Sequence, residues 1–339
     1  MASLGWLLIA PLVTACSLAY LSDHVGDAHG SDGGEVGAGD GAASADGGTI
    51  GDAGMSMSEA SSPAAWSVWG DGSTGFSDLS GVWGSAANDV WAVGYGTIVH
   101  WDGATWSSLP GAASGGLSAA WGSAADDVWA VGTAGAILRY QGSAWLAVDS
   151  GTTADLSGIW GSSANDVWVT GAQGNRGTIL HWDGGAWTTS FGADEALSGV
   201  WGSAPGAVWA VGNNNLVLEN TAGSWTPAVV QAAGPSNLSS VWGSAPDGVA
   251  WAGGNGDILE YGGVAWTPGS AVAYGINGIW GSDATDVWAV GYGGLIVHYD
   301  GSNWSMVPSG VDAGLDGVWG SASDDVWAVG TAGTIVHHP

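Results

Sequence analysis

The sequence predicts an all-β chain folded as a seven-bladed β-propeller of four-stranded antiparallel blades, and three observations predict it. Trp-Gly-Ser returns at Trp83, Trp121, Trp160, Trp201, Trp242, Trp280 and Trp319, at intervals of 38, 39, 41, 41, 38 and 39 residues, so one unit is written seven times. Each unit holds four short runs, as in LSGVWGS, DVWAVG, GTIVHW and ATWSSL, rich in Val, Ile, Trp and Thr and divided by Gly, Asp, Asn and Ser. Such runs are too short for helices and read as strands joined by turns. The last copy stops inside its third run, and the missing fourth run stands at the front, where Ala65-Trp66-Ser67-Val68 matches Ala144-Trp145 and Ala186-Trp187. If that segment supplies the outer strand of the last blade, the ring closes and leaves no open sheet edge.

Taken in order, the chain opens on residues 1–15, whose apolar run at 4–13 contains Pro11 and is too short to span a bilayer. It reads as the hydrophobic part of a signal peptide. The next residues, Val13-Thr14-Ala15-Cys16, resemble a bacterial lipobox, although no Lys or Arg precedes the apolar run. The resemblance implies lipidation at Cys16, the single cysteine of the chain, and export to the outer membrane or cell surface of a Gram-negative bacterium. With one cysteine, disulfides cannot hold the fold together. Residues 16–64 are Gly, Ala, Asp and Ser with few large side chains, the composition of a lipid-anchored, disordered tether. The nine-residue spacing of calcium repeats is absent there, so no metal is expected.

The propeller, residues 65–339, follows. Of the 25 tryptophans, 21 occupy three repeat positions: the Trp-Gly-Ser place, the second run (Trp91, Trp129, Trp168, Trp209, Trp251, Trp288 and Trp327) and the fourth run. A residue present in every blade answers a need of every blade, and the need is packing between sheets that diverge from an axis. The first run carries small residues beside its Trp, as in Ser80-Gly81 and Ser157-Gly158, which suits the innermost strand. Asp89, Asp127, Asp166, Asp286 and Asp325 precede the second run, with Ala207 and Gly248 at that place in the fourth and fifth copies; these Asp are expected to accept backbone amides of their own turn. Near the end of the third run stand His100, Arg139, His181, Glu219, Glu260, His298 and His337, expected to be solvated or bonded between blades.

Net charge narrows the partners. The formal charge is −29, from 31 acidic residues against Arg139 and Arg176, with no lysine. Nucleic acid is not expected as a partner, because phosphate binding needs clustered cations. An anionic membrane surface is repelled as well, so attachment falls to the lipid on Cys16.

The run VWAVGYGTIVHWDGATW, with DVWAVGTAGTIVHH and DVWAVGYGGLIVHYDGSNW, resembles the Asp-box (bacterial neuraminidase repeat) propellers, and within them the branch of the photosystem II assembly factor. The whole chain resembles Gly- and Trp-rich bacterial propeller lipoproteins. The hairpin departs from the Asp-box: Asp102, Asp183 and Asp300 stand four residues before Trp106, Trp187 and Trp304, where the motif has five, and the second copy has Gln141. Sialidases of this repeat class hold a substrate carboxylate with three arginines, and two arginines exclude that chemistry on count. Other glycosidases need paired carboxylates, and the only propeller glutamates, Glu195, Glu219 and Glu260, form no recognisable constellation. No nucleophile elbow, metalloprotease motif or phosphate loop is present.

The expectation is therefore a monomeric binding or scaffold module for a protein at the cell envelope, without catalytic residues or cofactor. A carbohydrate-binding propeller is the alternative, and a glycoside hydrolase or lyase comes third. The turns between second and third runs vary most among the copies, and with the connections between blades they should open on one face. Tyr95, Arg176, Asn213, Asn214, Asn215, Asn255 and Tyr292 are the candidate contacts.

Overall fold

A run such as DVWAVG, apolar at nearly every position, suits a strand covered on both faces, and in every blade that strand is buried almost throughout. The computed structural model describes residues 65–70, 75–109, 115–231, 234, 236–244, 248–271 and 275–339. The signal peptide at 1–15, Cys16 and the linker to residue 64 lie outside the described residues. The strands form seven four-stranded antiparallel meanders. In the first blade the order from the axis outward is Leu79–Ala86, Asp89–Gly94, Thr97–Trp101 and Trp106–Ser108. Each innermost strand packs against those of its two neighbours, and Leu79–Ala86 of the first blade meets Leu315–Ala322 of the last, so the ring is closed.

Closure uses the segment the sequence assigns to it. Ser67–Gly70 pairs antiparallel with Ile335–His338, in the register Ser67 to His337 and Val68 to Val336. Trp66 thereby lies beside His338, ring centroids 5.6 Å apart, as Trp106, Trp145 and Trp304 lie beside the last residue of their third strands.

The core is divided among the gaps between blades. Each of seven apolar clusters draws on two neighbouring blades; one joins Leu79, Val90 and Trp101 of the first to Trp327, Val329 and Ile335 of the seventh. All seven second-strand tryptophans are buried. Six of them meet the outer-strand Trp of the next blade edge to face: Trp91 with Trp145, Trp129 with Trp187, Trp168 with Trp225, Trp209 with Trp266, Trp288 with Trp66, and Trp327 with Trp106. Their centroids are 5.4 or 5.5 Å apart and their planes 77° to 90°. Each such pair adds roughly 0.5–1.5 kcal/mol to the area it buries.

The glycine of Trp-Gly-Ser has an equally direct cause. A Cβ on Gly161 would stand 2.5 Å from the indole of Trp121 in the preceding blade, and Gly84, Gly122, Gly202, Gly243, Gly281 and Gly320 are placed likewise, the first under Trp319 across the closure. Only a residue without a side chain lets the neighbouring indole lie there. At the outer hairpins Asp102 Oδ1 accepts the amides of Ala104 and Thr105, at 2.9 and 2.8 Å, and Asp183 and Asp300 do the same.

Candidate functional site

Three places hold polar side chains that a blade does not need simply to form strands: the second-to-third strand pair, one face of the ring, and the axis. At the first, register sets Trp91 opposite His100, and the imidazole stacks on the indole at 4.1 Å. His100 Nε2 donates to Asp89 Oδ1 at 2.6 Å, and Ser85 Oγ donates to Asp89 Oδ2 at 2.5 Å. The same Ser, Asp, His and Trp recur with His181, His298 and His337. In the second blade Arg139 replaces the imidazole, its Nε 2.6 Å from Asp127 and its guanidinium 4.5 Å over Trp129.

These contacts correct two expectations. The Asp before the second strand takes side-chain donors, Ser Oγ and His Nε2, rather than its own turn's amides; the histidines are half-buried and bond within a blade rather than between blades. For Asp286, burial would raise the carboxyl, but hydrogen bonds from His298 and Ser282 outweigh it and hold it below the usual range. Strand register also moves one assignment. Gly243 pairs with Ala250 as Gly84 pairs with Val90, so Val249, not Gly248, stands at the Asp place of the fifth blade.

The second place is the face. Next to each inner strand, the turn between second and third strands donates to the segment arriving from the previous blade: Tyr95 N to Asp78 O, Asn213 N to Ala196 O, Asn255 N to Asn237 O and Tyr292 N to Gly275 O. Both sets of loops therefore open on one side. Side chains stitch neighbouring blades there, Asp78 Oδ1 accepting Ala332 N at 2.7 Å and Asp155 Oδ1 accepting Ala134 N at 2.8 Å.

The candidate residues divide between two arcs of this face. Arg176 is on the third blade, exposed, its guanidinium 3.8 Å from Asp194. Asn213, Asn214 and Asn215 form a turn on the fourth, and Asn255 lies exposed on the fifth. Asn214 and Asn215 serve the turn itself, at φ near 55° and 57°, with Asn214 N donating to Asn237 Oδ1 and Asn215 Nδ2 to Gly234 O. Tyr292 on the sixth blade and Tyr95 on the first flank the seventh. Both rings are open to solvent, 58% and 71% exposed, and lie against glycines of the arriving segments, Gly275 and Gly116.

The third place escaped the sequence reading. The inner strands enclose an axial channel of about 260 Å³. The residue after the buried Leu or Ile near the start of each inner strand lines it: Ser80, Ser118, Ser157, Ser198 and Ser239 in the first five blades, then Asn277 and Asp316. Among the described residues Asp316 is the one charged side chain in the lining. Asn277 Nδ2 donates to Asp316 Oδ1 at 2.8 Å and to Leu315 O at 3.0 Å. Burial, with Asp78 nearby, pushes the Asp316 carboxyl up to about 6 against the pull of that hydrogen bond. Because Asp316 opens its strand, it sits at the mouth on the same side as Tyr95 and Tyr292. The signal was available: one place reads Ser five times, then Asn, then Asp.

No family model and no curated protein matches the chain. Solved structures do. YCF48 from Cyanidioschyzon merolae, the photosystem II assembly factor, is similar with a TM-score of 0.63 at 20% identity, over 81% of this chain and 98% of that one. A structure of YCF48 bound to D1 peptide gives 0.64 at 17% identity over the same shares. U3-55K gives 0.67 at 11% identity, again over 81% and 98%. At these identities the likeness is one of fold, and it agrees with the resemblance to the photosystem II assembly factor propellers.

Proposed function

We propose that the chain is an exported, lipid-anchored propeller of Asp-box type that binds a protein partner at the cell envelope through the face carrying Tyr95, Tyr292 and the axial mouth. The observation that carries this reading is the pair of exposed tyrosines held against Gly116 and Gly275 on either side of the seventh blade. Rigid, amphipathic rings are the residues that anchor protein interfaces. The structure of YCF48 bound to D1 peptide supports it at the level of fold. A carbohydrate-binding propeller would offer its repeated indoles to sugars; here the 21 repeated tryptophans are buried or half-buried, with Trp160, Trp201 and Trp242 also at the channel wall, and none is exposed, which favours a protein. The channel brings one carboxylate to its lining, where glycoside hydrolysis works through two.

Two experiments test the reading. Cross-linked capture from native envelopes should retain a defined partner with the wild-type chain and lose it with Tyr95→Ala combined with Tyr292→Ala; equal capture by the variant refutes this face. Cys16→Ala should move the protein from the membrane fraction to the soluble one, and a protein that stays in the membrane refutes the anchor.

A further inference from the structure

We infer that the axial mouth takes the ammonium group of a lysine side chain presented by the partner protein, held by Asp316 and Asn277. The inference rests on the protein-binding reading and adds the chemistry of the contact. Every blade needs a small residue beside the axis, and five of the seven use serine. The sixth and seventh depart together, and the two departures hydrogen-bond to each other. A carboxylate partly removed from water costs stability, so its place there calls for a use other than packing.

Geometry selects the ligand. Asp316 Oδ1 is engaged by Asn277, and Oδ2 has no hydrogen-bond partner among the described residues. Asn277 spends its Nδ2 on Asp316 and on Leu315 O, which leaves its Oδ1 free to accept. The site thus offers one carboxylate oxygen and one amide oxygen as acceptors, beside a rim of serine hydroxyls that can accept as well as donate. That set fits a compact cation with three donors. An arginine fork pairs with both carboxylate oxygens in one plane and would compete with Asn277 for Oδ1, whereas an ammonium needs only Oδ2 and the amide oxygen. Among the described residues no three His, Cys, Asp or Glu side chains converge to hold a metal ion.

Position makes the cation part of a protein rather than a free amine. Asn277 belongs to the sixth blade, Asp316 to the seventh, and Tyr292 and Tyr95 to the sixth and first, so the acceptors and the two exposed rings share one arc of the face. A chain laid across the rings can drop one extended side chain into the axis between them. The overall charge of −29 favours approach of a basic partner. Asp78, the other carboxylate near Asp316, is occupied by the amide of Ala332.

The test uses the full chain carrying Cys16→Ser, isotope-labelled, with a lysine-centred alanine pentapeptide as probe and the Asn277 side-chain amide as reporter. The peptide should shift that signal saturably, its Nε-acetyl counterpart should bind at least about tenfold more weakly, and Asp316→Ser, which restores the residue of the first five blades, should cost about tenfold as well. Binding should also fall about tenfold from pH 7.5 to pH 5, because lysine stays charged while Asp316, with its carboxyl at about 6, takes up a proton. Equal shifts from the acetylated peptide, equal binding by Asp316→Ser, or displacement of the peptide by equimolar calcium would each overturn the inference. In the envelope capture, a partner lost with the tyrosine variant but kept with Asp316→Ser overturns the lysine contact alone. A wild-type chain that captures nothing overturns the broader reading.

Discussion

The third and fourth blades have the same strand order, and one difference between them lies at the Asp and His places. In the third, Asp166 joins Ser162 and His181, and the imidazole stacks on Trp168. In the fourth, Ala207 and Glu219 stand there, and Ser203 Oγ is buried with no hydrogen-bond partner among the described residues. Yet Trp168 meets Trp225 and Trp209 meets Trp266 in nearly identical geometry. The indole layer therefore builds a blade without help, and the polar network tightens a blade already built.

That difference can be broken in order of size. Gly161→Val and Gly202→Val should both be severe, about 4 kcal/mol or loss of soluble protein, since each drives a side chain into the preceding blade's indole. A much milder effect in the fourth blade would show that the layer does depend on the network. Asp166→Ala should cost about 2 kcal/mol by leaving Ser162 and His181 without their acceptor. The reciprocal change, Ala207→Asp with Glu219→His, supplies an acceptor to Ser203 and an imidazole opposite Trp209, and should gain about 1 kcal/mol in chemical denaturation. No gain would mean that the fourth blade is held in a different backbone setting.

Smaller effects concern the seventh blade. His338 occupies the place of Trp101, Tyr140 and Tyr299, buried against Trp66 and Trp288, with neither ring nitrogen partnered among the described residues. Burial pushes its imidazole down, reinforced by His298 and His337 and opposed by Asp286 and Asp324. The folded-state value lies below the unfolded one, so this contribution to stability is full above about pH 6.5 and is lost as pH falls toward the folded value. His338→Tyr should flatten that part of the pH profile of the melting temperature; an unchanged slope would rule out His338 as its source. Asp316 has the opposite sign. Its raised carboxyl makes stability decline as pH rises from about 4 to about 6. Asp316→Ser should therefore match wild type near pH 4 and exceed it by about 1 kcal/mol above pH 6, discounted for channel water. A variant less stable at neutral pH would make Asp316 a structural residue.

Blade number, strand order and closure were legible because each depends on local pattern: turn formers bound the strands, and the missing outer strand left its tryptophan at Trp66. The buried role of the repeated indoles followed from their recurrence. What stayed hidden depends on register. That Asp89 would meet His100 follows only once the hairpin sets Trp91 opposite His100, and one extra residue in the fifth copy was enough to put Gly248 in the place of Val249. Asp316 was overlooked because a small-residue place was read by its majority, although the exceptions marked the site. Loop variability did point to the face of Tyr95 and Tyr292, but it also drew in Asn214 and Asn215, whose left-handed backbone angles are what their turn requires.

Whether seven sectors share one axis is decided most directly at the closing strand. Trp66 and Trp225 hold equivalent outer positions, one joined to its blade only by strand pairing and the other by chain continuity, and each meets the preceding blade's indole edge to face. Trp66→Ala should destabilise the chain by about 3 kcal/mol, as much as Trp225→Ala. A Trp66→Ala protein within about 0.5 kcal/mol of wild type, beside a weakened Trp225→Ala, would contradict a closed ring.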